Sequence, residues 1–99
     1  MLNINKTGEN GELTIKLEGR LDTMTAPALE KELKDSLENV TGLTLDLEKL
    51  EYISSAGLRV LLGTQKAMSK QGTMTVTHVN ETVMEIFDVT GFSDILTIA

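Results

Sequence analysis

The stretch Asp46-Leu-Glu-Lys-Leu-Glu-Tyr-Ile-Ser-Ser-Ala-Gly-Leu-Arg-Val-Leu61 reads as a strand, a short acidic turn and a helix that opens on two serines. Leu43, Leu45 and Leu47 alternate with Thr44, Asp46 and Glu48, the period of a strand with one apolar face. Leu58, Leu61, Leu62 and Met68 then recur at helical spacing, and Gly72 after Lys70 is a stop signal. A serine at a helix start accepts a hydrogen bond from an otherwise unpaired amide, and the helix dipole places partial positive charge there. A phosphate on Ser54 or Ser55 would therefore be tolerated locally. Gly57, lacking a side chain, would let a partner's surface approach the backbone closely.

Working outward toward the N-terminus, Leu2 and Ile4, then Leu13, Ile15 and Leu17, alternate with polar residues on either side of Gly8-Glu9-Asn10-Gly11. That pattern predicts a β-hairpin. Gly19 to Thr25 is a connection, after which Thr25 can cap a helix whose first turn holds Pro27. Leu29, Leu33 and Leu37 mark one face of this helix, Glu30 and Lys34 form an i,i+4 pair on the other, and Thr41-Gly42 ends it. Toward the C-terminus, Met74, Val76 and His78 alternate with threonines in another strand. A third helix starts at Asn80 or at Thr82, the latter forming a capping box with Glu85, and turns Val83, Ile86 and Phe87 inward before Gly91. Phe92 to Ala99 is expected to form a turn and a final strand.

The order β-β-α-β-α-β-α-(β) implies one α/β domain over residues 1–99, in which helices return the chain between roughly parallel strands. Clean alternation in the strands implies a sheet covered on one face and partly wet on the other. The expected architecture is a four- to five-stranded mixed sheet with three or four helices mainly on one face.

Composition narrows the function. At 99 residues the chain can bury roughly 60–68% of its unfolded surface, enough for a core without metals or cross-links. It has no cysteine, which excludes disulfide and thiolate chemistry and fits a cytoplasmic location. No apolar run reaches the ~18 residues of a membrane span. The net charge of −6, with no basic cluster and only three aromatic residues, argues against direct binding to nucleic acid or to an anionic membrane.

With Asp46, Tyr52, Ile53, Ser54, Ser55, Gly57 and Leu58 in this order, the stretch resembles the signature of bacterial anti-sigma factor antagonists, members of the STAS (sulfate transporter and anti-sigma factor antagonist) domain family. The block Gly19-Arg20-Leu21-Asp22-Thr23-Met24-Thr25-Ala26 is similar to that family's loop between second strand and first helix. The resemblance implies a non-enzymatic partner switch that is monomeric when free. Unphosphorylated, such a protein binds an anti-sigma factor that is also its ATP-dependent serine kinase. Phosphorylation breaks the complex, and a metal-dependent serine phosphatase restores it. In the family the acceptor commonly lies immediately before the glycine, but that position here is Ala56, which has no hydroxyl. Ser55, the nearest serine, is the first candidate acceptor and Ser54 the second. Asp22, Thr23, Asp46, Ser54, Ser55, Ala56, Gly57, Leu58 and Arg59 are the candidate partner-binding residues.

Each residue also has a plainer reading. On capping preference alone the serine pair is an ordinary helix start. Asp22 and Asp46 can simply cap or terminate elements, and Arg59 can be a solvated charge, although it stands close enough to Ser55 to pair with a phosphate. His78 shares the strand parity of Met74 and Val76, so a partly buried structural histidine is expected. One histidine and no Gly-x-Ser-x-Gly elbow leave a nucleophilic serine without support. Asp46, Glu48, Glu51, Glu81 and Glu85 lack metal-ligand spacing and read as a solvated acidic surface. With no glycine-rich phosphate loop, ATP would belong to the partner, and no cofactor is expected. The competing function is an unswitched STAS adaptor in a larger assembly, such as a lipid-transport or stress-signalling complex, which Ala56 favours.

Overall fold

Asn10 and Gly11 take positive φ angles of 54° and 85°, the pairing that a two-residue type I′ hairpin turn demands. They fold β1 (Leu2–Glu9) antiparallel onto β2 (Glu12–Leu21), with Ile4 opposite Leu17 and Lys6 opposite Ile15. The computed structural model describes Leu2 to Ala99; Met1, the first residue of the expected domain, lies outside the described residues.

From β2 the chain crosses through α1 (Ala26–Ser36) to β3 (Gly42–Ile53), and through α2 (Ser55–Ser69) to β4 (Thr73–Thr77). The three later strands run parallel, and the sheet order is β1-β2-β3-β4. Both crossovers step the same way along the sheet, so their right-handedness puts α1 and α2 on the same face. The third helix, α3 (Glu81–Thr90), adds Val83 and Phe87 to the same core as Leu29, Leu33, Leu61 and Met68. Strand residues Ile15, Leu17, Leu43, Leu45, Met74 and Val76 supply the sheet side of that core. On the opposite face Thr14, Lys16, Glu18, Thr44 and Thr75 are all at least partly exposed. The result is one α/β domain with a four-stranded mixed sheet covered by helices on one face.

Several local expectations give way to better-satisfied alternatives. Thr25 does not cap α1 with its side chain. Helix α1 stops at Ser36, not at Thr41-Gly42, and Gln71 Nε2 donates to the carbonyls of Leu37 (2.7 Å) and Val40 (2.5 Å) just past its end. Asn80 caps α3 by accepting from the Val83 amide (2.9 Å), so the Thr82–Glu85 capping box does not define the start. Gly91, at φ 81°, ends α3 and leads into a 3-10 turn at Phe92–Asp94. In place of a final strand there is one parallel bridge from Val76 to Ile98.

The acidic stretch is strand, not turn. β3 continues to Ile53, with one extra residue where Asp46–Lys49 faces Lys16–Glu18 and another where Leu50–Tyr52 faces Gly19–Arg20. Each bulge resets which face a side chain meets, which keeps Leu47, Leu50 and Ile53 all buried. Asp46 is therefore not a strand terminus: it lies within β3 beside the first bulge and accepts from the Glu48 amide at 3.0 Å.

His78 is not a buried strand residue either. β4 ends at Thr77, and His78 turns out of the sheet at φ 55°, 62% exposed, with Nδ1 3.2 Å from Oδ1 of Asp46.

Candidate functional site

Because β2 and β3 are parallel and Leu21 pairs with Ile53, the segments leaving them emerge side by side. The Ser54 amide donates to the Leu21 carbonyl at 2.8 Å and ties the two exits together. This brings the Asp22–Thr25 loop and the start of α2, which are distant in sequence, to one end of the sheet.

On the β2 side the loop is braced by the side chains of Asp22 and Thr25. Asp22 Oδ1 accepts from the amides of Met24 (3.0 Å) and Thr25 (3.1 Å), and the Asp22 carbonyl accepts from the amide of Ala26 (2.8 Å). The Thr25 hydroxyl accepts from the Asp22 amide (2.9 Å) and donates to the Arg20 carbonyl (2.8 Å). Thr25 thus braces the loop, and that use of its hydroxyl is why it does not cap the helix. Partial burial pushes the Asp22 carboxyl up, but the Thr25 and Met24 amides, the Thr25 hydroxyl and the Arg20 charge outweigh it and hold the group below its ordinary value. Arg20 lies 3.9 Å from Asp22 and stacks 4.6 Å from the centre of the Tyr52 ring, so it braces the loop from the open face of the sheet.

On the β3 side Ser54 leaves the strand with extended backbone, φ −96° and ψ 175°, and its hydroxyl accepts from the Gly57 amide at 3.4 Å. Ser54 is the cap. Ser55, the first residue of α2, is exposed, and its hydroxyl makes no hydrogen bond among the described residues. Ala56 is half-buried and Arg59 is exposed one turn further along.

Gly57 and Leu58 lie beneath this surface. A Cβ on Gly57 would sit 2.7 Å from Leu21 Cγ and 2.8 Å from Ile53 Cγ1, so the glycine lets α2 settle on the ends of β2 and β3; it faces the core, not an approaching partner. Leu58 is 6% exposed and packs in the core. Asp46 stands apart: it lies eight residues before Ser54, two of them taken up by the bulges, and so on the order of 20 Å back along a strand rising about 3.3 Å per residue.

The surface that remains combines Thr23, Ser54, Ser55, Ala56 and Arg59. A groove of about 440 Å³ between the starts of α1 and α2 is lined by Thr23, Pro27, Glu30, Ala56, Arg59 and Val60. It shares Glu30, Arg59 and Val60 with a groove of about 410 Å³ running on between the two helices. Sequence reasoning missed Met24, which is 87% exposed at the tip of the loop. The signal available was a large apolar side chain inside a turn. Arg20 and Tyr52 were missed as a pair because only the parallel register brings them together. Among the described residues no three acidic or imidazole side chains converge to hold a metal, and no helix is long and apolar enough to cross a membrane.

The profile of the STAS domain matches residues 3–99. The chain belongs to the STAS domain family. The anti-sigma-B factor antagonist of Bacillus subtilis (strain 168) is 33% identical over 102 residues, covering 99% of this chain and 93% of its own. Among solved structures, an anti-sigma factor antagonist from Mycobacterium paratuberculosis superposes with a TM-score of 0.89 at 22% identity, covering 99% of this chain and 85% of that one. The Bacillus cell fate determinant SpoIIAA in its phosphorylated form gives 0.75 at 18% identity, covering 98% and 91%. These two likenesses establish a shared fold. In this STAS domain the start of α2 carries the exposed serine.

Proposed function

We propose that this STAS domain is an anti-sigma factor antagonist: a binding protein, not an enzyme, switched by phosphorylation of Ser55. The observation that carries the reading is the division of labour between two adjacent serines. Ser54 serves as the cap, while Ser55 is exposed with no hydrogen-bond partner among the described residues, so it can be modified without removing a hydrogen bond from the fold. The relative from Bacillus subtilis is named an anti-sigma-B factor antagonist, and the SpoIIAA neighbour was solved phosphorylated, which supports both halves of the proposal.

The partner in this reading is an anti-sigma factor that doubles as an ATP-dependent serine kinase, and a metal-dependent serine phosphatase resets the switch. Both act on a monomeric domain in the cytoplasm. Thr23, Ala56 and Arg59 contribute contact surface beside the serines, while Asp22, Gly57 and Leu58 hold that surface in shape. A phosphate adds about −1.5 to −2 charges at neutral pH. On a surface that also carries Glu30 and Asp22, and pressed against a partner, that charge would weaken the complex.

A second reading has one observation in its favour. Ala56, immediately before Gly57, offers no hydroxyl, which suits an unswitched STAS adaptor within a larger assembly. Intact-mass measurement after incubation with the cognate kinase and ATP separates the two. A switched protein gains one phosphate, and Ser55→Ala abolishes the gain. No gain in the unaltered chain would establish the adaptor, and a gain that survives Ser55→Ala would move the acceptor to Ser54.

A further inference from the structure

Resting on the reading of Ser55 as the modified serine, we propose that Arg59 receives the Ser55 phosphate, so that the modification is bound within this chain as well as read by a partner. Ser55 opens α2 and Arg59 follows four residues later. Side chains at that spacing share a helix face, with about 5–6 Å between their Cβ atoms, and an anion N-terminal to a cation is the favourable order. Both residues are exposed, so neither is held away from the other by the core.

The arginine is also uncommitted. Arg20 is engaged with Asp22 and Tyr52, Lys6 with Glu32 and Lys34 with Glu30, whereas Arg59 has no carboxylate within 4.0 Å among the described residues. Among the described residues it is the one cation lining the groove between the starts of α1 and α2. Its planar fork suits phosphate oxygens, which it can hold through two parallel N–H bonds. The neighbouring charges favour no other partner for the phosphate. Glu30 faces the groove from α1, Glu51 is exposed near the end of β3, and Asp22 is already bound by its own loop. All three are carboxylates that would repel a phosphate, leaving Arg59 to neutralise it. Pairing would draw the guanidinium toward the helix start and away from Glu30, changing the rim of the groove together with the serine.

The test uses the full chain with phosphoserine incorporated at position 55 during synthesis and follows the second phosphate ionisation by phosphorus NMR. With Arg59 present the ionisation falls at a pH lower by about half a unit than in Arg59→Gln, with Arg59→Lys in between. Lys66→Gln removes the same charge from an exposed site of α2, eleven residues and roughly 16 Å from Ser55 at 1.5 Å per residue, and leaves the ionisation unmoved. No change in Arg59→Gln, or equal changes in Arg59→Gln and Lys66→Gln, would overturn the pairing. Neither kinase nor partner is present, so failure of Ser55 to be phosphorylated by a kinase would sink the functional reading alone.

Discussion

The segments that leave β2 and β3 emerge side by side but differ in how much of their hydrogen-bonding capacity is already used. In the Asp22–Thr25 loop one carboxylate and one hydroxyl bind the amides of Asp22, Met24 and Thr25 and the carbonyl of Arg20. At the start of α2 a single side-chain bond of 3.4 Å makes the cap, and among the described residues the next hydroxyl is unengaged. In the first segment the side chains of Asp22 and Thr25 are committed to bracing the loop, and only exposed Thr23 stays outside the brace. The second keeps a polar group in reserve, so new chemistry can be added there with little loss to the fold.

The largest effect expected from breaking this comparison lies underneath it. Leu58→Asp puts an unpaired charge at a position 6% exposed, below both segments. It should cost about 4 kcal/mol or more, a large share of the stability of a small domain, and abolish or sharply lower the thermal transition. An unchanged melting temperature would mean that α2 is not seated on the sheet as described.

The brace gives a smaller, pH-dependent effect. The Asp22 carboxyl is held below its ordinary value of 3.8, so the ionised form is favoured by folding. Its contribution is present above the unfolded value and is lost as pH falls through the lower folded one. Asp22→Asn should therefore melt below the unaltered protein at pH 7, and the gap should close as pH falls below 3.8. A gap that stays constant into acid would show that the charge of Asp22 does no stabilising.

The two serines give the smallest effects. Ser54→Ala should cost about 0.5–1 kcal/mol, the lower part of the range for losing a cap, because its bond is long. Ser55→Ala should stay within about 0.5 kcal/mol of the unaltered chain. Denaturant titration of both variants checks the order. Equal losses would erase the distinction between cap and reserve.

Much of this arrangement is legible in sequence. Asn10-Gly11 specifies its hairpin through local backbone preference alone, and Leu58, Leu61 and Met68 set the phase of α2 because the 3.6-residue period runs uninterrupted. The rest depends on contacts between segments. Leu43, Leu45, Leu47, Leu50 and Ile53 are spaced by two, two, three and three residues, so two bulges make the second half of β3 look like an acidic turn. Only the neighbouring strand reveals the bulges, by skipping a residue. Gly57 reads from sequence as an opening for a partner, but Leu21 and Ile53, brought beside it by the parallel register, make it a packing requirement. His78 follows the parity of β4 but lies one residue past its end, where the chain has turned toward Asp46. The serine pair was visible as a helix start; which serine caps and which stays unengaged became visible only with the Gly57 amide in place.

In the proposed reading a phosphate on Ser55 switches partner binding while the fold itself stays as it is. It is tested most directly by calorimetry of the isolated partner proposed above with the unmodified chain and with the chain phosphorylated at Ser55, after circular dichroism has established that both are equally folded. A penalty of about 3–4 kcal/mol for desolvating the phosphate against the partner predicts binding weaker by roughly two to three orders of magnitude. Equal affinity of the two forms would contradict it.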